Sequence, residues 1–117
     1  MATLESAIHG LRQALDDPDS PHWRWSVRRH LSLVREALAQ DSARSSDGWL
    51  AARARVHDRD RHHLLARVSS LGPRVLDRLE RDLEVELHRL FGDLEHFQQR
   101  RHDLVYDAVA LELGGSE

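Results

Sequence analysis

The sequence predicts an all-α protein, an antiparallel four-helix bundle with a long C-terminal helix that occupies residues 1–117 as a single domain. Apolar side chains recur at intervals of three and four residues along most of the chain, which is the spacing of amphipathic helices. Proline and glycine fall between these stretches. The chain has 117 residues, 40% of them hydrophobic, which is enough to bury one core. Helices are predicted at about 3–16, 21–41, 47–71 and 74–112.

The first two helices have clear boundaries and clear apolar faces. Thr3 is a suitable N-cap for the first helix, Ser20 is a suitable N-cap for the second, and Pro21 suits the first helical position. The predicted buried residues are Leu4, Ala7, Ile8, Leu11, Ala14 and Leu15, followed by Trp23, Val27, Leu31, Val34, Ala37 and Leu38. The rotation of about 100° per residue places His30 on the second of these faces, so we expect it to point inward.

The third predicted helix has a polar inward face. Asp47 can cap it, and Gly72 and Pro73 are expected to end it after Leu71. The predicted inward residues are Trp49, Ala52, Val56, Asp60, His63, Leu64, Arg67 and Leu71, with Arg53 and His57 near the edge.

The fourth predicted helix carries a heptad repeat of large apolar residues. The repeat consists of Leu76, Leu83, Leu90, Phe97, Leu104 and Leu111, with Leu87, Leu94 and Ala108 between them. At 1.5 Å per residue this helix would be about 58 Å long against about 37 Å for the third helix. Its apolar end at 104–111 should then overhang, and we expect a homodimer contact there. The alternative is a bend at Gly92 that returns this end to its own bundle.

Composition excludes several classes of function. The chain has no cysteine, so disulfides, thiolate catalysis and cysteine-ligated metals are excluded. The net charge is −3 and the arginines alternate with acidic residues, which does not favour nucleic acid. No apolar run is long enough to span a bilayer and no secretory signal is recognisable, so we expect a cytoplasmic protein without a membrane partner. No phosphate-binding loop or nucleophile arrangement predicts an enzyme.

Several segments resemble one family. These are Asp47-Gly48-Trp49-Leu50, His63, Gln99-Arg100, the run Asp103-Leu104-Val105-Tyr106-Asp107-Ala108 and the tail Gly114-Gly115. They resemble small actinobacterial hemerythrin-like proteins of the HHE type. The resemblance implies a bundle that holds iron through histidines and carboxylates, for oxygen, peroxide or nitric oxide handling or for sensing.

The predicted metal ligands are the inward histidines and carboxylates together with one spacing motif. His102 and Asp107 match the family's His-x-x-x-x-Asp motif, whereas its His-x-x-x-Glu and His-x-x-x-His motifs are absent. Ala39 and Phe97 occupy positions where the resemblance implies ligands. The candidate metal residues are His63, Asp60, His30, His102 and Asp107. Their nitrogen and oxygen donors suit iron, and also zinc or manganese.

Each of these residues also has a structural interpretation. His30 can be a hydrogen-bonded core histidine, and Asp60 can form an ion pair with Arg67 or Arg101. The alternative function is therefore a non-catalytic helical interaction or regulatory module whose ancestral metal site has been lost. A pH-responsive dimer is a third hypothesis, because the chain has nine histidines, which titrate near neutral pH.

Overall fold

The computed structural model describes residues 3–40, 48–77 and 81–114. They form α1 (Leu4–Leu15), α2 (Trp23–Gln40), α3 (Gly48–Asp77) and α4 (Arg81–Gly114), with no strand in these ranges. The all-α prediction is confirmed. Among the described residues, no helix has both the length and the apolar character needed to cross a membrane.

The first two helices begin and pack as predicted. The Thr3 hydroxyl accepts a hydrogen bond from the Ser6 N–H at 3.1 Å and caps α1, and the Ser20 hydroxyl accepts from the His22 N–H at 3.2 Å just before α2. The buried residues of α1 and α2 are the twelve that were predicted. Their apolar faces are continuous and carry few competing polar residues, so the helical period is unambiguous.

The four helices form a bundle in which each helix packs against two neighbours. α2 lies against α1 and α3, and α4 lies against α3 and α1. One continuous core at the centre joins all of them. The bundle is elongated, with dimensions of 59 × 22 × 20 Å.

The boundary between α3 and α4 differs from the prediction. α3 continues through Gly72 and Pro73 to Asp77, and Leu76 therefore belongs to α3 rather than to the last helix. Proline removes one backbone hydrogen bond, but its fixed φ is compatible with a helix. Val75 follows Leu71 by one turn and is fully buried, so packing of this last turn outweighs the lost bond.

Along the N-terminal half of α3, the residues that were predicted to face inward lie one position before the residues that are buried. Val56 is 55% exposed and His63 is exposed, which contradicts their predicted inward positions. The buried residues of α3 are Leu50, Ala54, His57, Leu64, Val68, Leu71 and Val75. His57 was placed at the edge and is in fact only 5% exposed. The N-terminal half of α3 is rich in alanine, arginine and histidine, so its apolar pattern fits two phases almost equally well.

Among the described residues, four ion pairs connect α3 to α4 at heptad spacing, and we call these four the ion-pair ladder. They are Arg53–Asp107 at 2.7 Å, Asp60–Arg100 at 3.5 Å, Arg67–Asp93 at 2.6 Å and Arg74–Glu86 at 2.8 Å. The residue numbers fall along α4 as they rise along α3, so these two helices run in opposite directions. Arginine is on α3 in three pairs, and the Asp60–Arg100 pair has the opposite polarity.

The long helices α3 and α4 extend beyond the short ones. Near the end of α2, Arg61 Nη1 donates to the Leu38 carbonyl at 2.9 Å. The first turn of α1 shares a groove with Gln98 and His102 of α4. We call the part beyond these contacts, residues 48–59 and 103–114, the open end. It is about 18–20 Å long.

A small apolar cluster holds the two helices of the open end together. Leu104 and Ala108 of α4 pack there against Leu50 and Ala54 of α3. The last helix is longer than the third, as expected, but the difference is smaller than predicted, 34 against 30 residues, because α3 continues to Asp77 and α4 begins only at Arg81. Instead, both helices overhang, and α4 continues as one helix through Gly92.

Candidate functional site

Two of the candidate metal residues, Asp60 and Asp107, form ion pairs between α3 and α4. His63 is exposed on α3. Asp60 Oδ2 lies 3.5 Å from Arg100 Nη2, and Asp107 Oδ2 accepts a 2.7 Å hydrogen bond from Arg53 Nη1. An ion pair at Asp60 was expected and is confirmed, but its partner is Arg100, because Arg67 pairs with Asp93 and Arg101 lies one position away from the ladder.

The other two candidates also have local neighbours. His102 is exposed, and its Nε2 lies 3.2 Å from the side-chain amide nitrogen of Gln98. His30 is half-buried as predicted, and its Nδ1 donates to the Ser26 carbonyl at 2.7 Å. A β-carbon at Gly10 would lie 2.6 Å from His30 Cδ2, so the glycine of α1 provides the space for this ring. His30 therefore has the geometry of a hydrogen-bonded core histidine.

These five residues do not converge. Among the described residues, no group of three or more histidines and carboxylates is placed where it could hold one metal ion. His102 and Asp107, which share the sequence motif, contact different residues on α4 and α3. Iron binding stays a prediction that these contacts do not test.

His57 is the buried polar residue that sequence reasoning missed. Its ring stacks on that of Phe97, with centroids 4.0 Å apart and an angle of 12° between the planes. His57 lines a groove of about 340 Å³ between α3 and α4, together with Val56, Leu104 and Asp60. Phe97 stands where the resemblance implies a ligand, and there it is a fully buried packing residue. The regular spacing of His57, Leu64 and Leu71 at seven residues is the signal that could have found it.

Asp58 and Arg61 form a polar contact at the C-terminal end of α2. Arg61 Nε donates to Asp58 Oδ1 at 2.9 Å while the same guanidinium binds the Leu38 carbonyl. The hydrogen bond from Arg61 lowers the pKa of Asp58 below its ordinary value, and the charges of Arg61 and the nearby His62 act in the same direction. This contact ties α3 to the end of α2 and marks where the open end begins.

Comparisons with known proteins do not assign the chain to a family. No family model, curated protein or solved structure matches it. The hemerythrin-like resemblance stays a prediction.

An apolar patch lies on the α4 side of the open end. Val105, Tyr106, Val109 and Leu113 are neighbours on the helix at spacings of three, four and seven residues. Their exposed fractions are 46%, 75%, 50% and 72%. Contiguous exposed apolar surface of this kind is typical of interaction sites.

The apolar patch continues the face of α4 that carries α1. Gln98 and His102 line the groove that α4 shares with the start of α1. Val105 and Val109 follow Gln98 by seven and eleven residues, and therefore lie on the same side of the helix. α1 begins at Leu4 and covers this face only up to the level of His102. Among the described residues, the face beyond that level has no helix packed on it.

Proposed function

We propose that this chain is a non-catalytic helical interaction module whose binding surface is the open end. The observation that carries the proposal is the apolar patch, which extends the α1-bearing face of α4 past the last residue that α1 covers. Exposed apolar side chains on a helix face cost solvation free energy that a partner would recover. We also infer that all four helices alternate in direction. The short connection between α1 and α2 and the ladder between α3 and α4 support this arrangement.

Contacts of the polar residues also support binding over catalysis. Asp60 and Asp107, which would be the carboxylates of a metal site, already neutralise arginines of the ladder. The buried His57 stacks on the ring of Phe97. Groups with these contacts stabilise a helical hairpin and would have to give up their partners to act in a reaction.

Iron binding is tested by elemental analysis of protein purified without a metal-affinity tag. An absorption spectrum after anaerobic iron addition and exposure to air provides the second readout. Near-stoichiometric iron with a ligand-to-metal band, lost in His63→Ala, would establish the hemerythrin-like function and contradict the non-catalytic one. We expect no iron-dependent band.

The interaction function is tested by site-specific photo-crosslinking. A photoreactive phenylalanine analogue replaces Val109 in the open end or, as a matched control, Val85, which is 55% exposed near the other end of α4. In cells that naturally produce the chain, we expect a discrete crosslinked product from position 109 and none from position 85. Equal crosslinking at both positions, or none at position 109, would refute the proposal.

A further inference from the structure

We infer that the side of the bundle formed by α2 and α3 binds single-stranded nucleic acid, with arginines of α2 on the phosphates and a base stacked on Trp25. This surface is separate from the apolar patch, and the inference goes beyond the proposed function. The net charge of −3 does not by itself favour such a ligand. That value, however, averages over two sides of the molecule that carry opposite charge.

The fold separates charges that alternate in the sequence. α2 and α3, which pack against each other, carry ten arginines and four acidic residues, a net charge of +6. α1 and α4, which form the opposite pair, carry five arginines and nine acidic residues, a net charge of −4. A side with an excess of positive charge attracts polyanions even when the molecule as a whole is slightly negative.

The arginines of α2 are available to a ligand. Arg28, Arg29 and Arg35 are exposed and Arg24 is half-buried, and none of the four forms an ion pair with a described residue. Glu36 is the one acidic residue in the sequence of α2. On α3, by contrast, four arginines lie in ion pairs with carboxylates. The guanidinium groups of α2 can therefore bind phosphates without giving up an existing partner.

Trp25 lies among these arginines and is 69% exposed. Arg28 and Arg29 follow it by three and four residues, so the three side chains are neighbours on the surface of the helix. Arg24 and Arg35 extend the basic surface to about 17 Å along the helix axis, which is long enough to contact several phosphates of one strand. An aromatic ring between guanidinium groups is the arrangement that binds a base and its neighbouring phosphates together.

The scarcity of apolar surface on α2 favours nucleic acid over a protein or a membrane. Apart from Trp25, no large hydrophobic side chain of α2 is exposed. Protein interfaces bury an apolar centre, and helices that bind membranes insert an apolar face, whereas the apolar face of α2 lies in the core of the bundle. Single strands bind instead through their phosphates and through bases that stack on aromatic rings. A duplex would not offer such a base to Trp25.

The first test is the fluorescence anisotropy of a labelled single-stranded DNA of about 20 nucleotides, titrated with the full chain at about 0.1 M salt. Arg28→Glu combined with Arg29→Glu should weaken binding at least about 10-fold, because phosphate contacts are lost and repulsive charges are added. Arg12→Glu combined with Arg89→Glu is the matched control. It makes the same change of charge at exposed residues of α1 and α4, and should weaken binding less than about 3-fold. A helical circular dichroism spectrum with a cooperative thermal transition verifies that each variant is folded.

The second test separates phosphate contacts from base stacking. The logarithm of the association constant falls linearly with the logarithm of the salt concentration, by about 0.7 for each phosphate contacted on a single strand. The slope should therefore become shallower by about 1.4 when Arg28 and Arg29 are both replaced. Trp25→Ala should weaken binding about 5- to 100-fold and leave the slope unchanged, because stacking releases no counterions.

Three results would overturn the inference. The first is no binding of the strand by the natural chain, or an equal loss of affinity in the control variant. The second is equal affinity for polyglutamate, which carries negative charge without bases. The third is sedimentation with phosphatidylserine vesicles without binding to the strand, which would identify a membrane as the ligand. None of these results depends on crosslinking at position 109, so the proposed function stands or fails separately.

Discussion

Reversing the charges of one ladder pair tests whether the ladder stabilises the fold. Arg67 Nη1 and Asp93 Oδ2 lie 2.6 Å apart, and the two side chains are 41% and 53% exposed. Exposed pairs of this kind contribute about 0.2–1 kcal/mol after solvent screening. Arg67→Glu alone removes this attraction and sets two carboxylates, at positions 67 and 93, against each other. We therefore expect the free energy of unfolding to fall by about 1 kcal/mol. Asp93→Arg alone should lose a similar amount.

Combining both substitutions should restore most of the stability, because opposite charges again face each other. The assay is urea unfolding followed by helical circular dichroism, at low and at high salt. The coupling energy from the double-mutant cycle should be about 0.5–1.5 kcal/mol at low salt and smaller at high salt. Arg59→Glu is the control, because Arg59 is exposed on the same helix and makes no ion pair with the described residues. A coupling energy of zero at low salt would show that the pair contributes nothing.

Two further predictions concern a glycine contact and a carboxylate. Gly10→Ala should destabilise the chain by about 1–3 kcal/mol in thermal unfolding, because the new methyl group meets the His30 ring. Gly92→Ala should stabilise it by about 0.5–1 kcal/mol, because no atom other than the surrounding backbone of α4 and the two chain neighbours lies within 4 Å of the added carbon. Equal effects of the two substitutions would contradict this assignment. The lowered pKa of Asp58 means that its carboxylate stabilises the fold above the unfolded pKa of about 3.9, and that this contribution is lost as the pH falls through the lower folded pKa. Arg61→Ala should therefore raise the pKa of Asp58 in a carboxyl NMR titration and weaken the dependence of stability on pH below about pH 4, whereas an unchanged pKa would refute the role of Arg61.

The sequence predicted α1 and α2 almost completely, and the reason is local. Their apolar residues are large, regularly spaced and bounded by caps such as Thr3 and Ser20, so burial and boundaries follow from the helical period alone. In α4, the heptad leucines were equally informative, and Leu83, Leu90 and Leu104 are buried as expected.

α3 was harder because its pattern is ambiguous without its partner. Leu64 and Leu71 fit both the predicted and the observed face, whereas Val56 and His63 fit only the predicted one and are exposed. The phase is decided by what lies opposite on α4, and a single-helix pattern does not contain that information. The Gly72–Pro73 pair was also misleading, because burial of Val75 is a tertiary effect.

The candidate site was predicted less well than the fold for a related reason. Residue type and helical face identify which side chains could bind a metal, but not which of them already have partners. Asp60 and Asp107 are half-buried acids in the expected region, and both are held by arginines of the opposite helix. These partners are recognisable in the sequence only once the antiparallel pairing of α3 and α4 is known.

The reversed polarity of one ladder pair disfavours other alignments of the hairpin. The heptad leucines of α4 look the same after a displacement of seven residues, so apolar packing alone would accept the helices slid by one heptad. A slide in one direction places Arg53 opposite Arg100 and Asp60 opposite Asp93. A slide in the other direction places Asp60 opposite Asp107 and Arg67 opposite Arg100. Each misalignment therefore creates two repulsive pairs among the three that still face each other. If every arginine of the ladder were on α3, all three of these pairs would join opposite charges, and the misalignment would not be disfavoured.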